Sequence, residues 1–153
     1  MTMTLDEADR RILARLQIRA DEPLEDLGRH VGLSRNAVWR RVKALEERGI
    51  LKGRIALVDP AAVGLGLMVF IQVRAAHHSA DWLDQFRRAV RAIPQILGVY
   101  RMTGDLDYLI RARVADMADY DRLYQRLIER VEMGDVSASF VMEELKEGQA
   151  LPL

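Results

Sequence analysis

The sequence predicts an α+β chain in two parts, a helical first third followed by a β-α-β-β-α-β domain. Three observations carry that reading. Between Leu33 and Arg54 apolar residues recur at helical spacing, and seven basic side chains crowd beside two acids, Glu46 and Glu47. From Leu67 onward the pattern becomes β-branched runs alternating with two helical stripes. Between the two lies Asp59–Gly66, DPAAVGLG, with the proline and glycines of a connector. The expected division is 1–58, a linker at 59–66, and 67–153.

The first helix is expected to start at Asp6, a good N-cap. Asp9 answers it as a weak capping box, Leu5 acts as a hydrophobic staple, and Ile12, Leu13 and Leu16 form the buried side. Pro23 opens a second helix, LEDLGRHV, with Leu24, Leu27 and Val31 on one face. Gly28 inside it costs up to about 1 kcal/mol against alanine, so close packing of one helix over another is the expected reason for it. After a short turn at Gly32-Leu33, Ser34 caps a third helix. Its Val38, Val42 and Leu45 face inward, and Gly49 ends it. Two short helices joined this tightly, the second basic on its outer side, form a helix-turn-helix. Ile50 to Leu57 are expected to add a small wing of two strands around Gly53.

An α-helix fits the major groove of B-DNA, where base edges show distinct donor and acceptor patterns. Arg35, Asn36, Arg40 and Lys43 have the chemistry for base edges and phosphates. Arg41 is expected nearer the buried edge, half structural, pairing with an acid or reaching a phosphate. Trp39 either packs on sugar or a thymine methyl, or shields the helix pair. Lys52 and Arg54 extend the basic stretch into the wing. A merely solvated basic face is the plain alternative.

In the second part, Leu67–Ala75 reads as a strand with Val69, Ile71 and Val73 on one face. A helix follows His78-Ser79, with Trp82, Phe86, Ala89, Val90 and Ile93 as its stripe and Pro94 closing it. Ile96–Met102 and Tyr108–Val114 are the next two strands. Asp116 caps a second helix, whose stripe is Met117, Tyr120, Leu123, Tyr124, Leu127, Ile128 and Val131. Gly134 is expected to break the chain before a last strand, Val136–Leu145, with Val136, Ala138, Phe140 and Met142 alternating against Ser137, Ser139, Val141 and Glu143. This order is the ferredoxin-like arrangement. Two helices cover one face of its sheet. The other face is expected to carry apolar residues that only another subunit can bury, which predicts a dimer.

Composition narrows the function. Half the residues are apolar, 30% are charged and the net charge is zero, so only the local basic concentration points toward a polyanion. The chain has no cysteine, which excludes disulfides and thiolate chemistry. No apolar run approaches the length of a spanning helix. The first residues are charged too early for a secretory signal, so a cytoplasmic, nucleoid-associated protein is expected. No nucleophile, P-loop or paired catalytic carboxylates are found, so no enzyme, cofactor or metal is expected. Asp105 and Asp107 lie in the turn between two strands, and His77-His78 are adjacent; turn formation and a helix start explain them. Gly104 in that turn could offer backbone N–H groups to a carboxylate, with Asp105 or Asp107 facing an ammonium, which is amino-acid chemistry.

LDEADRRILARLQ (5–17), VGLSRNAVWRRVKALEERGIL (31–51), LVDPAAVGL (57–65), YRMTGDLDYLIRARVADMADY (100–120) and SFVMEELK (139–146) together resemble the Lrp/AsnC, or feast/famine, transcription factors. The pieces occur in that family's order across nearly the whole chain. The resemblance implies a winged helix-turn-helix joined to a βαββαβ effector-sensing domain. It also implies homodimers that often assemble into octamers, double-stranded DNA as partner, and activation or repression of amino-acid metabolism genes.

Carried over by position, the resemblance implies that Arg35, Asn36, Trp39, Arg40 and Lys43 lie on the recognition-helix surface; with Ser34, Arg41, Lys52 and Arg54 from the basic stretch they make the expected DNA-binding set. The resemblance also implies an amino-acid effector pocket at contacts between dimers, built partly by the turn Met102, Thr103, Gly104, Asp105, Leu106 and Asp107, with Ser137 and Ser139 contributing from the start of the last strand. Pro23 stands where a serine is frequent, Ala37 where a proline is common, and Gly28 where a small alanine or serine is usual. GLGLMVFIQV, HHSADW, YRMTGDLDYL and the tail SFVMEELKEGQALPL are similar to the cysteine-responsive branch, with branched-chain response as competitor. The alternatives from other classes are a nonspecific architectural DNA-binding protein and a stand-alone amino-acid-binding protein.

Overall fold

The structure is a computed structural model that describes residues 5–148 and 150–153. Two compact units emerge, one running up to Leu57 and including the tail from Lys146, the other spanning Val58–Leu145.

The first unit holds three helices, α1 (Glu7–Ile18), α2 (Leu24–Val31) and α3 (Arg35–Glu47). Ile12, Leu13 and Leu16 of α1 pack with Leu27 and Val31 of α2 and with Val38, Val42 and Leu45 of α3. These are the apolar residues that recur at helical spacing, so burial follows the pattern directly. The Asp6 side chain accepts from the Asp9 amide at 2.8 Å. The Asp9 carboxylate does not return to Asp6 as a capping box would; it turns to α3. At the end of α3 the Gly49 amide donates to Glu46 and the Ile50 amide to Leu45, with Gly49 at φ 69°. That is a Schellman ending.

The wing is not formed as strands. Lys52 to Val58 carry no strand assignment, and Ile50 and Leu51 pack on the helical core instead. A strand needs a ladder partner, and the segment finds none among the described residues. Gly28 is tightly packed, though against the turn: a Cβ there would lie 2.6 Å from the Leu33 carbonyl oxygen. In the tail, Gln17 donates to the Leu151 carbonyl at 3.1 Å and accepts from its amide at 2.6 Å.

The second unit is the ferredoxin-like domain, in the order β1 (Leu67–Ala75), α4 (Ala80–Arg91), β2 (Ile96–Arg101), β3 (Tyr108–Val114), α5 (Met117–Ile128) and β4 (Met133–Phe140). The sheet order is β2-β3-β1-β4, all neighbours antiparallel. Val69, Ile71, Val73, Ile110, Ala112 and Val114 line the inner face and meet Trp82, Phe86, Ala89, Leu123 and Leu127 from the helices. Trp82 stacks on Phe86 with centroids 5.1 Å apart, and Tyr108 tilts against both.

Four expectations change here. Gly134 does not break the chain; it lies inside β4 at a bulge, where a Cβ would sit 3.0 Å from the Ala75 carbonyl oxygen. β4 therefore starts at Met133 and ends at Phe140, which leaves Met142 beyond the strand and wholly exposed. Met117 and Ile128, expected in the α5 stripe, are also exposed. The outer sheet face mixes Phe70 and Leu109 with Gln72, Arg111, Ser137 and Ser139, so it is more polar than expected.

Candidate nucleic-acid interface and effector turn

Helix α3 begins where the Ser34 hydroxyl accepts from the Ala37 amide at 3.3 Å. Arg35, Asn36, Trp39, Arg40 and Lys43 are all exposed on the side away from Val38, Val42 and Leu45. Trp39 is 52% exposed, and the Lys43 ammonium lies over its ring, 5.4 Å from the centroid. Lys43 also sits 3.8 Å from Glu47, one turn on. Arg35 and Arg40 make no ion pair among the described residues, so both guanidinium groups are open to an external anion.

Arg41 differs. Its Nη1 donates to Asp6 at 2.6 Å and Asp9 at 2.8 Å, tying α3 to α1. These two carboxylates raise its pKa above the ordinary arginine value. Arg54 reaches back to Glu46 at 3.3 Å, whereas Lys52 is exposed without a partner among the described residues. Arg40 and Arg41 line a trough with Ala37, Ala44 and Arg48, the C-cap of α3. Sequence reading counts Arg48 in the basic stretch but not among the DNA-binding residues; its signal is its place two turns after Arg41.

At the other end of the chain, Met102–Asp107 link β2 to β3. The turn closes through the Met102 amide donating to the Asp107 carbonyl at 2.9 Å, with Gly104 at φ 96°. That φ suits glycine and strains any side chain. Thr103, Gly104 and Asp105 are exposed, and Asp107 is half-buried. The Asp107 carboxylate accepts from the Ala75 amide at 2.8 Å, so one oxygen is committed to holding the turn on β1. A residue missed by sequence reading joins it: Arg74 Nε donates to the Asp105 carbonyl at 2.9 Å.

Ser137 and Ser139 stand one and three rows further along the sheet than the Val73–Tyr108 pair that adjoins the turn. They stand opposite Gln72 and Phe70, while Asp135 is the residue opposite Arg74. Ser137 donates to the Gln72 side-chain oxygen at 3.4 Å. His77 lies 3.6 Å from Glu132, and Ser79 caps α4 through the Trp82 amide. Among the described residues no three His, Asp or Glu side chains group to hold a metal ion, and no helix is long and apolar enough to cross a membrane.

Comparison with known proteins fits both halves. Residues 5–46 match the AsnC-type helix-turn-helix domain and residues 68–151 the Lrp/AsnC ligand binding domain. The chain is 47% identical over 153 residues to a glutamate uptake regulatory protein of Zymomonas mobilis, covering all of this chain and 93% of that one. It is 43% identical to the DNA-binding transcriptional activator DecR of Escherichia coli, over 97% of this chain and 99% of the other. A transcriptional regulator of Neisseria meningitidis, solved as a complex with L-Met, superposes with a TM-score of 0.92 at 35% identity, over 97% of each chain. With matches spanning both units, the protein belongs to the Lrp/AsnC family of DNA-binding transcriptional regulators and is not an enzyme.

Proposed function

We propose that this regulator reads a specific duplex site through the outer face of α3 and responds to an amino acid held at the β2–β3 turn. The observation that carries the first half is the pair Arg35 and Arg40, uncommitted on an exposed helix face while Arg41 is spent on structure. Arginine is suited to guanine O6/N7 and Asn36 to adenine N6/N7. Ser34, Trp39, Lys43, Lys52 and Arg54 then contribute caps, packing and phosphate contacts. The functional division is 1–58 for DNA, 59–66 as connector, and 67–153 for effector and subunit contacts.

The second half is supported by the ligand binding domain match and by the Neisseria relative solved with L-Met. Met102, Thr103, Gly104, Asp105 and Asp107 form the core of the site, with Ser137 and Ser139 contributing from a neighbouring subunit. Their position away from the turn within one chain is what favours assembly of the site between subunits. The oligomer is a homodimer built on the outer sheet face and assembling further, to an octamer. Cysteine is the first effector to try, on the strength of HHSADW and the tail.

Footprinting against excess random DNA tests the reading. A regulator protects a pseudo-palindromic site with half-sites about 34–36 Å apart. Uniform protection that random DNA competes away would make it an architectural protein instead.

A further inference from the structure

We propose that Arg74 is the carboxylate anchor of the effector site. The inference rests on the effector-turn reading above and adds the ligand chemistry: a free carboxylate, met by a guanidinium. Arg74 is an exposed cation at the end of β1, the strand that lies between β3 and β4. Its Nε donates to the Asp105 carbonyl at 2.9 Å, which holds the guanidinium against the turn and uses one of its five N–H groups.

The terminal nitrogens make no ion pair among the described residues. Asp135, directly opposite on β4, does not reach them, and Asp107 spends an oxygen on the Ala75 amide. Arg113, Arg122 and Arg87 of the same unit are all paired with carboxylates. Arg74 is thus a cation whose orientation is already fixed by the turn and whose carboxylate-binding fork is vacant. A planar fork favours bidentate carboxylate recognition, and prior orientation lowers the entropic cost of binding.

The carboxylate has two sources, the α-carboxylate of any amino acid or the side chain of an acidic one. Calorimetry on the full-length protein separates them with six probes: L-cysteine, L-cysteinamide, L-methionine, L-methioninamide, L-glutamate and L-glutamine. If the α-carboxylate is held, cysteine or methionine binds at least tenfold tighter than its amide, and Arg74→Gln erases that difference. If the side chain is held, glutamate binds at least tenfold tighter than glutamine, and the same variant erases that one. Arg74→Lys recovers part of the lost affinity in either case, and unchanged melting of both variants excludes a folding defect. The proposal is overturned if Arg74→Gln binds every probe as the wild type does, or if the wild type binds none. Where Arg74→Gln binds as the wild type does, Gly104→Val separates the two readings: loss of binding there, with melting unchanged, keeps the turn as the site without Arg74, and retained binding moves the site elsewhere.

Discussion

Arg41 of α3 donates to Asp9 of α1 at 2.8 Å, and Asp9 is buried. The same nitrogen reaches Asp6, the N-cap of α1. One basic residue of α3 is therefore a strut between helices. Arg41→Ala leaves a buried carboxylate without its cation, so melting should fall by several degrees. DNA affinity, measured well below that melting point, should fall less than in Arg40→Ala.

Arg40→Ala should weaken binding to the specific site by about 1–3 kcal/mol, with melting unchanged, because no protein group depends on that side chain. Fluorescence anisotropy on specific and random duplexes checks it. Equal affinity for wild type and variant would show that α3 presents a different face.

Gly28→Ala should destabilise the helical unit despite a helix-propensity gain of up to about 1 kcal/mol. The new methyl would lie 2.6 Å from the Leu33 carbonyl oxygen, a backbone atom that cannot swing aside. Thermal melting decides it: a rise would mean that the α2–α3 turn yields easily.

Acid should loosen the helical unit. Glu22 is buried and receives the Arg15 guanidinium at 2.7 and 2.8 Å, with His30 at 3.0 Å. The Arg15 hydrogen bonds hold its carboxyl below the usual 4.5. The Asp9 amide, then Arg41, hold Asp6 below 3.8. A carboxyl with a depressed folded pKa lends stability above its unfolded value, and loses it as pH falls through the folded one. Melting should therefore stay level from neutrality to about pH 5 and decline below about pH 4.5. Glu22→Gln should shift melting at neutral pH while flattening that decline.

Leu109→Glu tests the outer sheet face. Leu109 alternates with the buried Tyr108 and Ile110, so it points away from the helices. If that face joins two subunits, sedimentation velocity should show smaller species with unchanged circular dichroism. An unaltered mass distribution would place the subunit contact elsewhere.

Much of this was legible in the sequence because it is local. Asp6, Ser34 and Asp116 each cap a helix through the amide three residues on, which spacing alone reveals. The β3 limits and the Val69, Ile71, Val73 face follow from strict alternation. What failed was non-local. Asp9 meets Arg41 across 32 residues, so the capping box expected of it had a competitor that no window shows. Gly134 reads as a breaker in sequence because its reason, the Ala75 carbonyl, lies on another strand. The wing lacked a ladder partner, and strand propensity cannot supply one. Arg74 did carry a signal, a lone cation in an apolar strand, but only the turn's carbonyl gives that charge a direction.

Ala75 couples the turn to β4. Its amide is gripped by the Asp107 carboxylate, and its carbonyl oxygen lies 3.0 Å from where a Cβ on Gly134 would stand. A turn tugged by a guest would drag this residue with it, and the bulge beneath has little slack to absorb the pull. The strain would then surface on the far rim of the sheet, on β4, without any long lever to carry it.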